Sequence, residues 1–234
     1  EDFHFRLNSC KTVLLVGLPA AMRDLSRPLV SMVVMRMISE FGSSVVAAYG
    51  VAMRLNGIVI IYVIGLAVAL NQMTGKRIGE GRVDTVHSLL KTGGRIGLMV
   101  HVVVASLLFL FAGGILSLFD GSGEVVEAGT PIVRIFSIMM VFPLFVRIIG
   151  AAFSGSGNTR PLMISSVSTH WLIQFPLAWL AVYVFGSSLA VWMSIFSARA
   201  CEAILLWTFY RSKSWKNSAV VPEEPLEALI PGGK

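Results

Sequence analysis

"GLPAAMRDLSRPLVSMVVMRMI", residues Gly17–Ile38, is long and apolar enough to cross a bilayer, yet it carries Arg23, Asp24 and Arg27 between Pro19 and Pro28. An ionisable side chain at bilayer depth costs about 2.5–3.5 kcal/mol on insertion scales, so it faces protein or a water-filled space rather than lipid. Pro28 lacks the N–H that would bond the carbonyl of Asp24. A freed carbonyl beside a carboxylate is tolerated at membrane depth where it lines a cavity. Asp24 and Arg27 are spaced i,i+3 and can neutralise each other, whereas Arg23 and Arg27, at i,i+4, repel unless an acid or anion lies between them. Charge, kink and depth coincide, which points to a helix facing a functional cavity. A wholly structural arginine–aspartate lock is the alternative. Asp24 is the candidate cation-coupling residue, because a carboxylate near water and arginines can change charge state as its surroundings change. Arg23 and Arg27 are candidate cavity-lining residues.

The rest of the chain supports a membrane setting. Of 234 residues, 55% are hydrophobic and 14% charged, against roughly 25% charged in a soluble domain. A span needs about 20 mostly apolar residues. Six stretches qualify, at about 12–37, 45–73, 96–118, 131–152, 161–185 and 188–210. None shows the alternating ten-residue segments of a barrel. The expected fold is therefore an all-α membrane protein with six transmembrane helices in residues 12–210. A short linker over 1–11 precedes them, and a disordered, proline- and glutamate-containing tail over 211–234 follows. The spacing of Val83, Val86, Leu89 and Leu90 predicts a separate amphipathic surface helix over 80–93.

The net charge of +6 reads as a topology signal rather than a nucleic-acid footprint. "GKRIGEGRVDTVHSLLKTGGR" (75–95) holds five Lys and Arg, while "FDGSGEVVEAG" (119–129) holds only acids. Lys and Arg fall on alternate connections, so the positive-inside rule places both termini and the 74–95 and 154–160 loops in the cytoplasm. Cys10 and Cys201 suggest neither a disulfide framework nor a metal site. No HExxH helix, GxSxG elbow or GxxxxGK[ST] loop is present, which argues against an enzyme. Gly75/Gly79 and Gly93/Gly97 are lone GxxxG pairs near membrane boundaries and read as weak packing signals.

Other polar residues within the spans carry two readings each. Arg134 and Arg147 lie near the ends of their span, where they can snorkel. Arg147 and the deeper Arg54 are also candidate cavity-lining residues, together with His170 and Gln174. His170 is either a satisfied helix-contact residue or a proton carrier. Arg199 and Glu202, three apart in the last span, share a face and form a candidate structural ion pair.

Several stretches then resemble one family. "GLPAAMRDLSRPL" (17–29) followed by "ISEFGSSVVAAYGVAMRLNGI" (38–58) is similar to the seventh and eighth helices of multidrug and toxic compound extrusion (MATE) transporters. "GLAVALNQMTGKRIGEGR" (65–82) resembles the family's glycine-rich loop after the eighth helix, and "GAAFSGSGNTRPLM" (150–163) its loop after the tenth. The resemblance implies two six-helix lobes facing each other across a cavity and working by alternating access. It implies export of small organic, often cationic, compounds across the plasma membrane (the inner membrane in a bacterium) by antiport with Na+ or H+. It implies no cofactor beyond that transported ion. The chain would be the C-terminal lobe, with the lipid bilayer and an N-terminal six-helix lobe as its partners and no nucleic acid. Some members use an acid in the seventh helix for the cation. Asp24 lies in that helix, although Arg27 falls nearer the place of that acid, and Arg134 and Arg147 stand in the tenth helix where such members have an acid. Two further readings stay open: a flippase for lipid-linked sugars of similar fold, whose cavity would be strongly basic, and a non-transporting half or assembly partner.

Overall fold

The computed structural model describes residues 7–119, 123–213 and 215–216, all as helices and short connections. α1 (Leu7–Ile38) runs through both prolines and begins inside the expected linker. A 3-10 turn over Ser39–Phe41 and Gly42, at φ 97°, then reverse the chain into α2 (Ser43–Gly79). That φ favours glycine, since a Cβ would clash with the backbone.

α3 (Thr85–Leu110) absorbs most of the expected surface helix. Val86, Leu89 and Leu90 are buried against the bundle and Val83 packs against the same core, so this apolar face meets protein rather than a bilayer surface. The third expected span continues, past a break at Phe111, as α4 (Ala112–Phe119). The fourth divides into α5 (Gly123–Met139) and α6 (Val141–Gly155). Pro143 explains this break: it lacks an N–H for the carbonyl of Met139, and its ring crowds that carbonyl.

The fifth span is α7 (Arg160–Ser168), a π-helical turn over Thr169–Gln174, and α8 (Phe175–Tyr183). Phe175 donates its N–H to the His170 carbonyl five residues back, and Pro176 follows at once. The widened turn precedes a proline that could not have continued the regular ladder. α9 (Ser188–Arg211) completes the bundle.

Among the described residues, four helical stretches are long and apolar enough to cross a membrane: Val45–Gly79, Thr85–Leu110, Gly129–Gly155 and Ser188–Arg211. α1 is not among them, its apolar run carrying Arg23, Asp24 and Arg27 close together, and the 160–183 segment is divided by its π turn. Outward-facing side chains are apolar along the bundle, including Leu110, Leu118, Leu172 and Val184. Such exposure is excessive for a water-soluble surface and is what lipid requires.

α2 lies along α6 and α5, α1 against α7, and α9 against α6, α8 and the π turn. Close approach of α2 and α6 depends on small residues: a Cβ on Gly155 would stand 2.7 Å from Thr74 Cγ2 and 3.0 Å from the Asn71 carbonyl. Gly93 and Gly97 similarly let α3 onto α2, since added Cβ atoms would lie 2.6 Å from Leu70 and 2.7 Å from Leu66. This pair is a packing seam, stronger than its sequence spacing suggests. Gly79 meets nothing within 4 Å. At one end of the bundle Trp192 lies between Tyr49 and Phe136, with ring centroids 5.2 and 5.3 Å away.

The tail expected to be disordered begins with a docked residue. Trp215 is buried, stacked on Tyr210 with centroids 5.9 Å apart. Residues 214 and 217–234 of that expected tail, and residues 1–6 of the expected linker, lie outside the described residues.

Candidate functional site

A polar cleft of about 140 Å³ opens between α1, α2 and α6, with Leu162 of α7 and Glu202 of α9 completing its wall. α1 contributes Arg23, Asp24 and Arg27, and α6 contributes Arg147. Asn71 and Ser154 add neutral polar groups, and Ile64, Val68 and Val146 form apolar wall between them. Gly150 and Ala151 leave room on the α6 side. The charged stretch of α1 therefore does face a cavity.

The charges pair differently from the i,i+3 expectation. Asp24 joins Arg23, its neighbour, through Nε–Oδ1 at 2.9 Å and Nη2–Oδ2 at 3.3 Å. Its side chain remains 65% exposed. Arg27 instead donates from Nη2 to Glu202 Oε1 at 3.0 Å, tying α1 to α9 across 175 residues of sequence. Glu202 is 2% exposed. Its second oxygen, Oε2, stands 3.9 Å from Arg199 Nη1, too far for a hydrogen bond. The predicted Arg199–Glu202 contact is present, but Arg27 is the nearer partner. Arg27 Nε and Glu202 Oε2 are buried without hydrogen-bond partners among the described residues. Arg147 forms no ion pair or hydrogen bond among them either.

The remaining candidates lie elsewhere. His170 and Gln174 are buried in the π turn rather than at the cleft. His170 Nδ1 bonds the Ser166 carbonyl at 2.6 Å, and Nε2 is buried with no hydrogen-bond partner among the described residues. The next residue, Trp171, donates from Nε1 to Ser26 Oγ at 3.0 Å and so fastens this turn to α1. Arg54 is exposed and does not line the cleft. It precedes Ile64 by ten residues, about 15 Å along α2 and roughly 80° around its axis. Arg134 lies over the Phe109 ring at 5.4 Å and donates to the Phe109 carbonyl at 3.3 Å. Among the described residues no three His, Cys, Asp or Glu cluster as metal ligands.

The role missed in the sequence is Glu202 as the buried anchor of Arg27. Its only local signal was the i,i+3 spacing to Arg199, which names the less intimate partner. An acid on one apolar helix and an arginine on a distant one are a weak hint, visible only once both are known to face inward.

The cleft thus places three guanidiniums and two carboxylates in an apolar bundle, an arrangement that can hold a polar solute but offers no activated nucleophile among the described residues. Against known proteins, the MatE family model matches residues 19–180, more than half of the chain. The chain belongs to the MatE family. Among MatE relatives, the probable multidrug resistance protein NorM of Thermotoga maritima is 23% identical over 95% of this chain and 48% of its own length. The probable multidrug resistance protein YoeA of Bacillus subtilis is 25% identical over 89% and 45%. A multidrug resistance MATE family transporter of the MOP superfamily, solved in an outward-facing conformation, superposes with TM-score 0.80 at 25% identity, covering 93% of this chain and 50% of that one. A MOP superfamily transporter from Pyrococcus furiosus shares the fold at TM-score 0.82 and 24% identity, over 92% and 49%. The chain spans about half the length of the relatives it matches. Those relatives are transporters and resistance proteins by name, not enzymes, and this MatE chain is a multi-pass membrane protein.

Proposed function

We propose that the chain is one six-helix lobe of a secondary-active exporter in the plasma membrane, with both termini on the cytoplasmic side. The six crossings are α1, α2, α3–α4, α5–α6, α7–π–α8 and α9. A second six-helix lobe faces the cleft, and alternating access between the lobes moves small organic compounds, often cationic, outward in exchange for sodium or protons. The observation that carries this reading is the charged cleft on a proline-flanked helix of an apolar bundle, in a chain that covers half of its MatE relatives. Groups of both signs at membrane depth are retained where solutes or ions pass. Asp24 is the coupling carboxylate in this reading: its side chain is reachable from the cleft, whereas Glu202 is held between Arg27 and Arg199.

Dye uptake into everted vesicles containing the full natural protein tests this. Proton and sodium gradients are imposed separately, for wild type and for Asp24→Asn. Dye movement that follows one ion and is lost in the variant is the expected result. Movement that ignores the substitution removes Asp24 from the coupling path, and no ion-driven movement of any dye removes the exporter reading itself.

A further inference from the structure

The charged cleft is not the most open space among the described residues. A larger, apolar groove of about 510 Å³ lies between α3, α6 and α9, with Leu90, Leu98, Leu144 and Ile148 on its walls. A second apolar groove of about 350 Å³ runs between α6 and α9, past Phe142, Ala200, Ala203 and Ile204. Both grooves share Phe145 and Trp207. These rings stand 5.7 Å apart and form the ridge between the two grooves.

One end of the larger groove is basic. Lys91 and Arg95 line it, four residues apart on α3, both exposed and neither in an ion pair or hydrogen bond among the described residues. Like charges at this spacing repel on a helix, so an anion between them is favoured. His87 and Tyr210 close the same end through a 3.0 Å contact that joins the start of α3 to the end of α9. Trp207, Tyr210 and Trp215 continue there as a stacked aromatic column. Tyrosine and tryptophan collect at the level of lipid headgroups.

We infer that this face is a binding site for an anionic phospholipid. Lys91 and Arg95 take the phosphate, and the two acyl chains lie in the two grooves on either side of the Phe145–Trp207 ridge. The charge decides the occupant: an apolar helix or a zwitterionic lipid would leave two adjacent cations without a net counter-charge, while an anionic headgroup supplies it at the level where the aromatic column lies. Basic pockets between membrane helices on the positively flanked side are suited to such headgroups. The site is separate from the charged cleft, so it stands or falls independently of transport.

Phospholipid retention by the full natural protein is the test. Delipidated protein is titrated with phosphatidylglycerol or phosphatidylcholine, and bound lipid and melting temperature are read together. Wild type is expected to retain phosphatidylglycerol and to melt higher with it than with phosphatidylcholine. Lys91→Gln/Arg95→Gln is expected to weaken phosphatidylglycerol binding about tenfold or more, from roughly fivefold for each basic residue near a headgroup. Gly94→Leu provides a second variant. A Cβ at Gly94 meets nothing within 4 Å, so the helix tolerates the change while the leucine fills the groove. It is expected to lower retention with both charges intact. Equal retention of the two lipids by wild type overturns the site, as does wild-type phosphatidylglycerol affinity in the double variant. Unchanged retention in Gly94→Leu removes the groove as the seat of the acyl chains.

Discussion

Two arginine–carboxylate pairs lie in the same cleft and are held by different physics. Arg23 and Asp24 are sequence neighbours that meet side by side on α1, with the carboxylate 65% exposed. Arg27 and Glu202 come from opposite ends of the chain, and the carboxylate is 2% exposed. An exposed pair contributes about 0–1 kcal/mol, because water and salt screen it and side-chain entropy opposes it. A buried pair need not be worth much against an apolar substitute, yet losing one partner strands the other charge, at about 3–5 kcal/mol. The pair that fixes architecture is thus the distant one, and the adjacent pair contributes little to holding the helices together.

The sharpest way to break this contrast is Glu202→Ala. It leaves Arg27 and Arg199 together without their carboxylate and is expected to cost about 3–5 kcal/mol, read as a large drop in melting temperature of the purified protein. A melting temperature within error of wild type would mean that the α1–α9 tie is not structural. Next in size is the coupling between partners. A double-mutant cycle on Arg27→Ala and Glu202→Ala is expected to give about 1–3 kcal/mol, and the same cycle on Arg23→Ala and Asp24→Ala less than about 1 kcal/mol. Similar values for both cycles would erase the distinction. Asp24→Asn alone is expected to change stability by less than about 1 kcal/mol, so loss of transport in that variant is not loss of fold. Arg147→Gln should have the smallest effect on stability, within about 1 kcal/mol, since Arg147 makes no ion pair or hydrogen bond among the described residues and shares the cleft with two arginines as well as two carboxylates. A clear destabilisation would mean that Arg147 is held by a carboxylate, in the cleft or from outside the described residues.

Much of this was legible in the sequence because it depends on nearest neighbours. Apolar runs of membrane length predict helices, since lipid leaves no other partner for the backbone. Four of the six runs reappear as helical stretches fit to cross a membrane. Arg23, Arg27 and Arg147 were candidate cavity residues and do line the cleft. Arg54, His170 and Gln174 had the same polarity-in-lipid signal but do not line it. Polarity at membrane depth says that a side chain needs a partner, not where that partner is. The surface helix was misread for a related reason: amphipathic spacing marks a face to be covered and does not distinguish protein from headgroups.

The sequence by itself determined the helical membrane fold and the charged face of α1, because hydropathy and helical spacing act within a few residues. Only the tertiary structure decided that Arg27 reaches Glu202 rather than Asp24, that Gly93 and Gly97 seat α3 on α2, and that Trp215 docks on Tyr210. Each of these depends on which helix faces which at a particular depth, and many pairings of apolar faces satisfy the same pattern. Side-chain volume and the desolvation of a few charges select among them.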